Sequence, residues 1–520
     1  MPAFPSLTPL DPFSNGIYQR IRLIFFHSLH LLTLPVSPLI MPLTMDRQSP
    51  LILLTAQRPW SYRKYPAFGI LFVASALLKA GFRVKIVHPE RDRLGAIREA
   101  VKEERPLFVG LSVTATPLLL EDIGISKALH AAGVPVVWGG IHPTMVPDTA
   151  LAPDYVDCIL TGEAEDSVVE FAQALAEGRR PEGVPGAGFK ADGTPVISPA
   201  NRFSRDLDRF RPAWELLRLG EYVEIFAGGA ERMMAVPLAR GCPFACTFCY
   251  NQSHPDRRLF RIHGQEWVQE QIAYLQQKAG LTLVRWIADH PFGNVKKGME
   301  TISGAGLPWA ATGRIDLCDQ AFCDWLKESR CSLMGFGFES GSDKALKILQ
   351  KGFTVEQILT GVINLERAGI AASANWMHLI PGETEADRRE TRELMDETFR
   401  LSTRLFHDLQ GLGPYPSVPI WEKCVAMGLK PPTTNEEWAY SRGMTAPLFG
   451  WTETRLQRLI TLNRLLYGRS RIVPRIVPDW QYALLRRRFL AGECRGPVEK
   501  LLAKRPRLRP FLVDDSVLAH

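Results

Sequence analysis

The 520-residue chain is poor in cysteine, and before residue 242 it has only Cys158. Nine cysteines in all, an odd number, are too sparse for a disulfide scaffold at this length. Long hydrophobic runs are also missing. The best candidate, Ile21 to Leu43, is interrupted by His27, His30, Pro35, Pro38 and Pro42, which excludes a regular membrane-spanning helix. No small-residue cleavage site follows it, so a secretory signal is not expected. Met41 and Met45 both precede the first confident strand, and residues 1–44 read as an extension or as a misassigned start. Strong charge bias is absent: 46% hydrophobic and 22% charged residues exclude wholesale disorder, collagen and coiled coil. The expectation is a reduced, cytoplasmic protein of two to four domains, each with its own core.

The net charge of +7 is unevenly placed. Between Arg464 and Arg509 there are 13 Lys and Arg against Asp479, Glu493 and Glu499, so the tail exceeds the whole chain in net charge. A general nucleic-acid binder would spread its charge over a broad surface, so none is expected as partner.

From residue 45 to 182 strands alternate with helices. Apolar runs at Leu51–Leu54, Arg83–Val87, Leu107–Leu111, Val134–Trp138 and Cys158–Leu160 are separated by helical stretches, the first ending at Gly81. That pattern predicts a flavodoxin-like, doubly wound α/β domain with its ligand beyond the carboxyl ends of the strands. Residues 183–230 read as a linker, in which Gly183–Pro199, rich in Gly and Pro, is either plain linker or a small hairpin. From 231 to 430 six further strands are expected: Met234–Leu238, Leu283–Ala288, Trp309–Ala311, Leu333–Phe338, Ala372–Leu379 and Phe406–Leu412. Six strand–helix units suit a partial (β/α)6 barrel, with the site again at the carboxyl ends. Residues 431–520 read as a mostly helical, basic region.

The sharpest local signal is Arg240-Gly241-Cys242-Pro243-Phe244-Ala245-Cys246-Thr247-Phe248-Cys249-Tyr250, directly after the first barrel strand. Three thiolates on one loop can surround a soft metal or an iron–sulfur cluster. Structural zinc prefers four protein ligands, and no second knuckle follows, although His254 or His263 could supply a fourth. A ferredoxin-type carrier would need a fourth cysteine nearby, and none occurs before Cys318. Three ligands with a vacancy favour a [4Fe–4S] cluster with one iron open to a small molecule. Cys318, Cys323 and Cys331 invite a second cluster, but their loose spacing reads better as small buried hydrophobes.

The C-x-x-x-C-x-x-C loop resembles that of the radical S-adenosylmethionine (SAM) superfamily, and the resemblance extends through the barrel. Phe338-Glu339-Ser340-Gly341 is similar to a Glu-Ser-Gly near the SAM. Arg314, in Gly313-Arg314-Ile315-Asp316, resembles an Arg-x-Asp at the third strand. Ile380-Pro381-Gly382-Glu383-Thr384 resembles the turn whose backbone meets the adenine, and Pro414 to Pro419 resembles a proline-rich turn after the sixth strand. The resemblance implies Cys242, Cys246 and Cys249 as cluster ligands, and Phe248, Arg314, Glu339, Ser340, Pro381 and Gly382 as SAM contacts. Three positions depart from it: Leu379 and Ser417 stand where glycine is usual, and Asp289-His290-Pro291-Phe292 replaces a commoner Asp-Asp-x-Phe.

A doubly wound domain before such a loop resembles the cobalamin-binding domain of one large radical SAM subfamily. Gly110 to Thr114, Gly139-Gly140-Ile141-His142-Pro143-Thr144 and Gly162-Glu163-Ala164-Glu165 each end a strand, and their small residues would let a corrin approach the backbone. The resemblance implies cobalamin contacts at Ser112, Thr114, Gly139, Gly140, Gly162 and Glu163. The Asp-x-His-x-x-Gly motif that brings a histidine to cobalt elsewhere is absent, and His142 reads as a structural turn. Arg58, Tyr62, Arg63 and Tyr65, after the first strand, could face the lower side of the corrin. A flavin or nucleotide is the rival ligand, but no G-x-G-x-x-G follows the first strand.

The cofactors would carry the difficult chemistry, the protein orienting them and excluding water. By resemblance, cleavage of SAM yields a radical that abstracts hydrogen from an unactivated carbon, and methylcobalamin donates a methyl group to it. The expected function is therefore cobalamin-dependent methylation of a small-molecule or lipid-like substrate, fed by an electron donor such as flavodoxin or ferredoxin. Oxidative cyclisation or ring rearrangement in the same subfamily is the alternative; a non-catalytic iron–sulfur or cobalamin sensor is the reading from another class. Trp480, Tyr482 and Phe489 among Arg486, Arg487 and Arg488 read as a helix covering the barrel, or as a peripheral contact with an anionic membrane surface.

Overall fold

The computed structural model describes residues 49–58, 64–89, 91–199, 203–226, 229–253, 255–441, 444–467 and 479–493. The readings placed on residues 1–44, Tyr62, Arg63 and His254 lie outside these residues.

The first sheet has seven strands: β1 (Leu51–Ala56), β2 (Arg83–Ile86), β3 (Phe108–Ser112), β4 (Val136–Gly139), β5 (Cys158–Leu160), β6 (Ala187–Ala191) and β7 (Thr194–Ile197). They lie in the order β2-β1-β3-β4-β5-β6-β7, the first five parallel and the last two antiparallel. The order 2-1-3-4-5 is that of the flavodoxin-like fold. β1 is buried along its whole length, as a strand covered on both faces must be. The helix Phe68–Lys79 ends where Gly81 takes a φ of +88°, which glycine adopts without strain. Of the two readings for 183–199 the chain takes the hairpin, β6–β7, which turns at Asp192 and Gly193, both left-handed, as a two-residue turn between twisted strands requires. Residues 203–226 pack rather than float as a connector. Trp214 and Tyr222 are buried there, and the indole of Trp214 donates to Gln271 Oε1 at 3.0 Å.

The second sheet contains β8 (Glu224–Phe226), β9 (Glu231–Arg240), β10 (Arg261–Ile262), β11 (Leu283–Ala288), β12 (Trp309–Gly313), β13 (Cys331–Glu339), β14 (Ala372–His378) and β15 (Leu405–Gly411). Six of them, β9 and β11 to β15, run parallel in that order. β8 and β10 pair antiparallel with β9. This is the open, six-unit barrel expected from the sequence.

Helix Glu453–Tyr467 packs on β15, and helix Asp479–Leu490 packs on that helix and on the helix Glu385–Leu401. Phe489 and Leu485 are buried there, and Arg486 pairs with Asp396 at 2.6 Å. Among the described residues no helix is long and apolar enough to cross a membrane. Cys318 and Cys323 are buried in the barrel core and Cys331 packs against it, as small apolar side chains do.

Candidate functional site

The cluster loop leaves β9 at Arg240 and returns at Tyr250. Gly241 turns it with a φ of +80° and donates its N–H to Asp289 Oδ2 at 2.6 Å. The Tyr250 hydroxyl donates to the other oxygen of Asp289. Farther along, Thr247 N donates to Leu349 O at 3.0 Å, Thr247 Oγ1 to Ile348 O at 3.1 Å, and Ile420 N to Thr247 O at 3.0 Å. The loop is thus pinned to the second, fourth and sixth barrel units.

Burial pushes the Cys249 thiol up to about 11, with Cys246, Cys242 and Asp289 adding to the shift. Cys242 is pushed upward by the same causes, chiefly burial. The raised thiols of Cys242 and Cys249 suit a cationic centre, which reverses that balance. Among the described residues, no three His, Cys, Asp or Glu side chains converge tightly enough to share one metal ion. In a cluster each of the three cysteines would meet a different iron. His263, the described candidate for a fourth zinc ligand, is engaged elsewhere: Nδ1 meets Asp208 at 2.7 Å and the ring stacks on Trp267 at 3.6 Å.

The residues with SAM-binding resemblance gather at the carboxyl ends of β12, β13 and β14. Arg314 is buried, holds Asp316 through Nε at 3.0 Å and a terminal nitrogen at 3.1 Å, and lays its guanidinium 3.8 Å over the Phe244 ring. Glu339 ends β13 with a φ of +64° and pairs with Lys351 at 3.1 Å. Its carboxylate lies where a Cβ on residue 337 would stand, which Gly337 permits. Lys351 also lies 5.8 Å from the centre of the Phe248 ring. Ser340 is buried and shares a hydrogen bond with Thr391 at 3.0 Å. Gly341 passes so close to the helix Glu385–Leu401 that a Cβ would sit 2.6 Å from Glu390 O. Pro381 and Gly382 form the turn after β14, Gly382 at a φ of +94°. The two non-glycine departures are explained by backbone: Leu379 and Ser417 adopt the left-handed region themselves, at φ +65° and +64°.

A cavity of about 530 Å³ lies between the carboxyl ends of the two sheets. Ser112, Gly139, Gly140, Gly162 and Glu163 line it from the first domain, and Ala239, Tyr250 and Asp289 from the barrel. It continues as an apolar slot against Phe68, Phe108, Val137 and Phe171. Gly139, Gly140 and Gly162 among the lining residues leave strand-end backbone open to a large planar ligand, so cobalamin fits this wall. Glu163 also braces the domains, accepting from Arg261 at 2.6 Å and pairing with Arg240 at 3.3 Å. Thr114 is not in the lining; its carbonyl accepts from Gln57 Nε2 at 3.0 Å. His142 is not there either. It is fully buried and holds Asn435 at 2.9 Å, and burial lowers its pKa to about 4. Arg58 is committed to Glu221 and the His88 carbonyl, and Tyr65 carries Arg285 over its ring at 5.5 Å.

Sequence reading missed Lys351, Phe244, Tyr250 and Asp289 as parts of this site. Tyr250 and Phe244 stand inside the cysteine loop and could be taken with it. Lys351 follows no motif, and only the folded chain brings it to Glu339.

Comparison with known proteins agrees with this architecture. Residues 236–395 match the radical SAM superfamily and residues 61–172 the B12-binding domain. The chain is 26% identical over 378 residues to an uncharacterized methyltransferase of Pyrococcus horikoshii, covering 70% of this chain and 79% of that one. It is 26% identical over 350 residues to the anaerobic magnesium-protoporphyrin IX monomethyl ester cyclase of Rubrivivax gelatinosus, covering 64% of this chain and 60% of the cyclase. The cobalamin-dependent SAM radical enzyme OxsB superposes with a TM-score of 0.64 at 12% identity, over 90% of this chain and 76% of its own. The fold and the matched domains define a radical SAM enzyme. It is one that carries a B12-binding domain, so its cofactors are a [4Fe–4S] cluster, SAM and cobalamin.

Proposed function

We propose that this enzyme methylates an unactivated carbon of an apolar small molecule, with cobalamin carrying the methyl group. The observation that supports this most is the shared cavity: strand ends of the B12-binding domain form one wall, and Tyr250 and Asp289, which anchor the cluster loop, stand in the other. The cluster supplies one-electron cleavage of SAM, and cobalamin a transferable methyl group. Cys242, Cys246 and Cys249 would hold the cluster. Arg314, Glu339, Ser340, Pro381, Gly382 and Phe248 would form the SAM cleft. Ser112, Gly139, Gly140, Gly162 and Glu163 would face cobalamin. The apolar lining suits a lipid-like or polycyclic substrate and excludes water from the reacting carbon. An anaerobic assay with methyl-labelled SAM should give labelled product together with 5′-deoxyadenosine; cleavage without methyl transfer overturns the proposal.

The cyclase relative, as similar in identity as the methyltransferase, supports a second reading in which the same centre oxidises or cyclises its substrate without net methylation. Unlabelled product with a changed ring count in that assay would select it. A flavodoxin or ferredoxin would supply the electrons. The exposed face of helix Asp479–Leu490, with Trp480, Leu484 and Arg487, supports peripheral contact with an anionic membrane as a route to a lipid-like substrate. Sedimentation with anionic vesicles, but not with neutral ones, is the expected result.

A further inference from the structure

His290 follows Asp289 beyond the end of β11, and the two side chains do different work. Asp289 is spent on Gly241 and Tyr250. His290 is 4% exposed, and its ring sits 5.3 Å from Phe244 and 6.3 Å from Phe292, both edge to face. Phe244 is the middle of the stretch between Cys242 and Cys246, so the imidazole lies beneath the cluster loop. Its Nε2 is buried and has no hydrogen-bond partner among the described residues.

The charged neighbours that act on the ring do not satisfy that nitrogen: they are Arg314 and Lys351, both cations and both donors. Arg314 is turned to Asp316 and the Phe244 face, and Lys351 to Glu339. Burial, then these two cations, keep the ring neutral near pH 7 by lowering its pKa to about 4. A neutral imidazole carries one N–H, and buried polar groups in folded proteins are nearly always paired. An unsatisfied imidazole and the Arg314 guanidinium on one aromatic ring, with the Lys351 ammonium also acting on the imidazole, therefore describe a place that awaits an anionic acceptor.

We infer that His290 donates a hydrogen bond to the loaded cluster–SAM assembly, either to a cluster sulfur or to the carboxylate of SAM. The inference rests on the three cysteines being the cluster ligands. It also gives the His290 departure from Asp-Asp-x-Phe a role: a donor where a carboxylate could only accept.

The test uses anaerobically reconstituted full-length protein. Loss of iron and sulfide in Cys242→Ala, Cys246→Ala and Cys249→Ala checks the underlying assignment separately; a cluster that survives them refutes that assignment and leaves His290 without its acceptor. His290→Phe and His290→Gln are then compared at full iron content by EPR-monitored redox titration and SAM binding. Hydrogen bonds to cluster sulfurs raise the potential. If the acceptor is sulfur, His290→Phe has a more negative midpoint potential before SAM is added, and His290→Gln recovers part of the shift. If the acceptor is SAM, that potential is unchanged and His290→Phe binds SAM at least tenfold more weakly, again with recovery in Gln. Wild-type potential and affinity in His290→Phe overturn the inference. Failure of Phe to load iron while Gln loads supports a required donor; failure of both assigns His290 to packing and also overturns it.

Discussion

Asp289 receives the N–H of Gly241 at 2.6 Å, while its second oxygen receives the hydroxyl of Tyr250. One carboxylate therefore ties together both ends of the cluster loop, and it does so at the edge of the cavity between the domains. Hydrogen bonds to a charged partner contribute about 1.5–3 kcal/mol each. Asp289→Ala is expected to lose iron to a chelator about tenfold or more faster than wild type, by that same figure. Tyr250→Phe, which removes one bond, should fall between them. Iron and sulfide assays during anaerobic chelation give the ranking, and equal rates for all three would show that the loop does not depend on this anchor.

The Glu339–Lys351 pair makes a different prediction, because both side chains are nearly buried. Removing one partner of such a pair leaves an uncompensated charge and costs about 3–5 kcal/mol, whereas removing both can be close to neutral. Lys351→Met should lower the denaturation midpoint clearly more than the double variant Glu339→Gln/Lys351→Met. Both should bind SAM weakly. If the double variant is the less stable, the pair contributes net stability rather than geometry.

Buried histidines set the response to acid. Burial lowers the pKa of His88, His142 and His290 to about 4, and that of His378 to about 3. Depressed folded values mean that the neutral rings are fully accommodated above the ordinary value of 6.5. Below it the unfolded chain gains protons that the folded chain refuses, so stability falls as pH drops toward 4. Each ring can account for about 3 kcal/mol over that window. Glu383 acts in the opposite sense: burial raises its carboxyl to about 7, so its contribution is full below 4.5 and is lost as pH rises through 7. His142→Gln, which can still reach Asn435, should flatten the acid limb, and Glu383→Gln the neutral limb. Unfolding midpoints from pH 4 to 8 measure both.

The two left-handed departures separate by burial. A non-glycine residue at positive φ costs about 1–2 kcal/mol, and glycine returns about 0.5–1 of that as unfolded-state entropy. Ser417 is exposed, so Ser417→Gly should raise the melting temperature slightly. Leu379 is fully buried, and losing its side chain costs about 2–5 kcal/mol, more than the relief. Leu379→Gly should therefore destabilise although it restores the usual residue.

These positions also show what sequence could and could not reveal. The first strand was legible because its apolar run is continuous, as at Leu51–Leu54, and the helix after it because Gly81 ends it. The cluster loop was legible because three thiols at that spacing, on so cysteine-poor a chain, suit little besides a shared metal or cluster. Lys351 was not, since its partner Glu339 lies across a helix and no periodicity links them. Thr114 stands near a strand end, where a ligand contact is expected, but Gln57 beyond the neighbouring strand claims its carbonyl. Register between parallel strands decides such contacts, and one strand's residues carry no record of the other's.

Helix Asp479–Leu490 provides the last prediction. Arg392 is almost fully buried and donates to Leu490 O at 3.0 Å and to Glu385 at 2.8 Å, and it approaches His378 at 3.3 Å. It thereby links the end of helix Asp479–Leu490 to the turn after β14. Phe489 closes the contact, its ring 5.1 Å from Tyr467. Phe489→Ala removes a fully buried aromatic and should cost about 3–5 kcal/mol. The cluster loop, however, is held by Asp289, Ile348, Leu349 and Ile420, none of them on this helix. The variant should therefore unfold earlier and bind SAM less tightly while keeping full iron content. Loss of iron in parallel with SAM affinity would show that the helix supports the whole barrel mouth rather than the adenine-side turn.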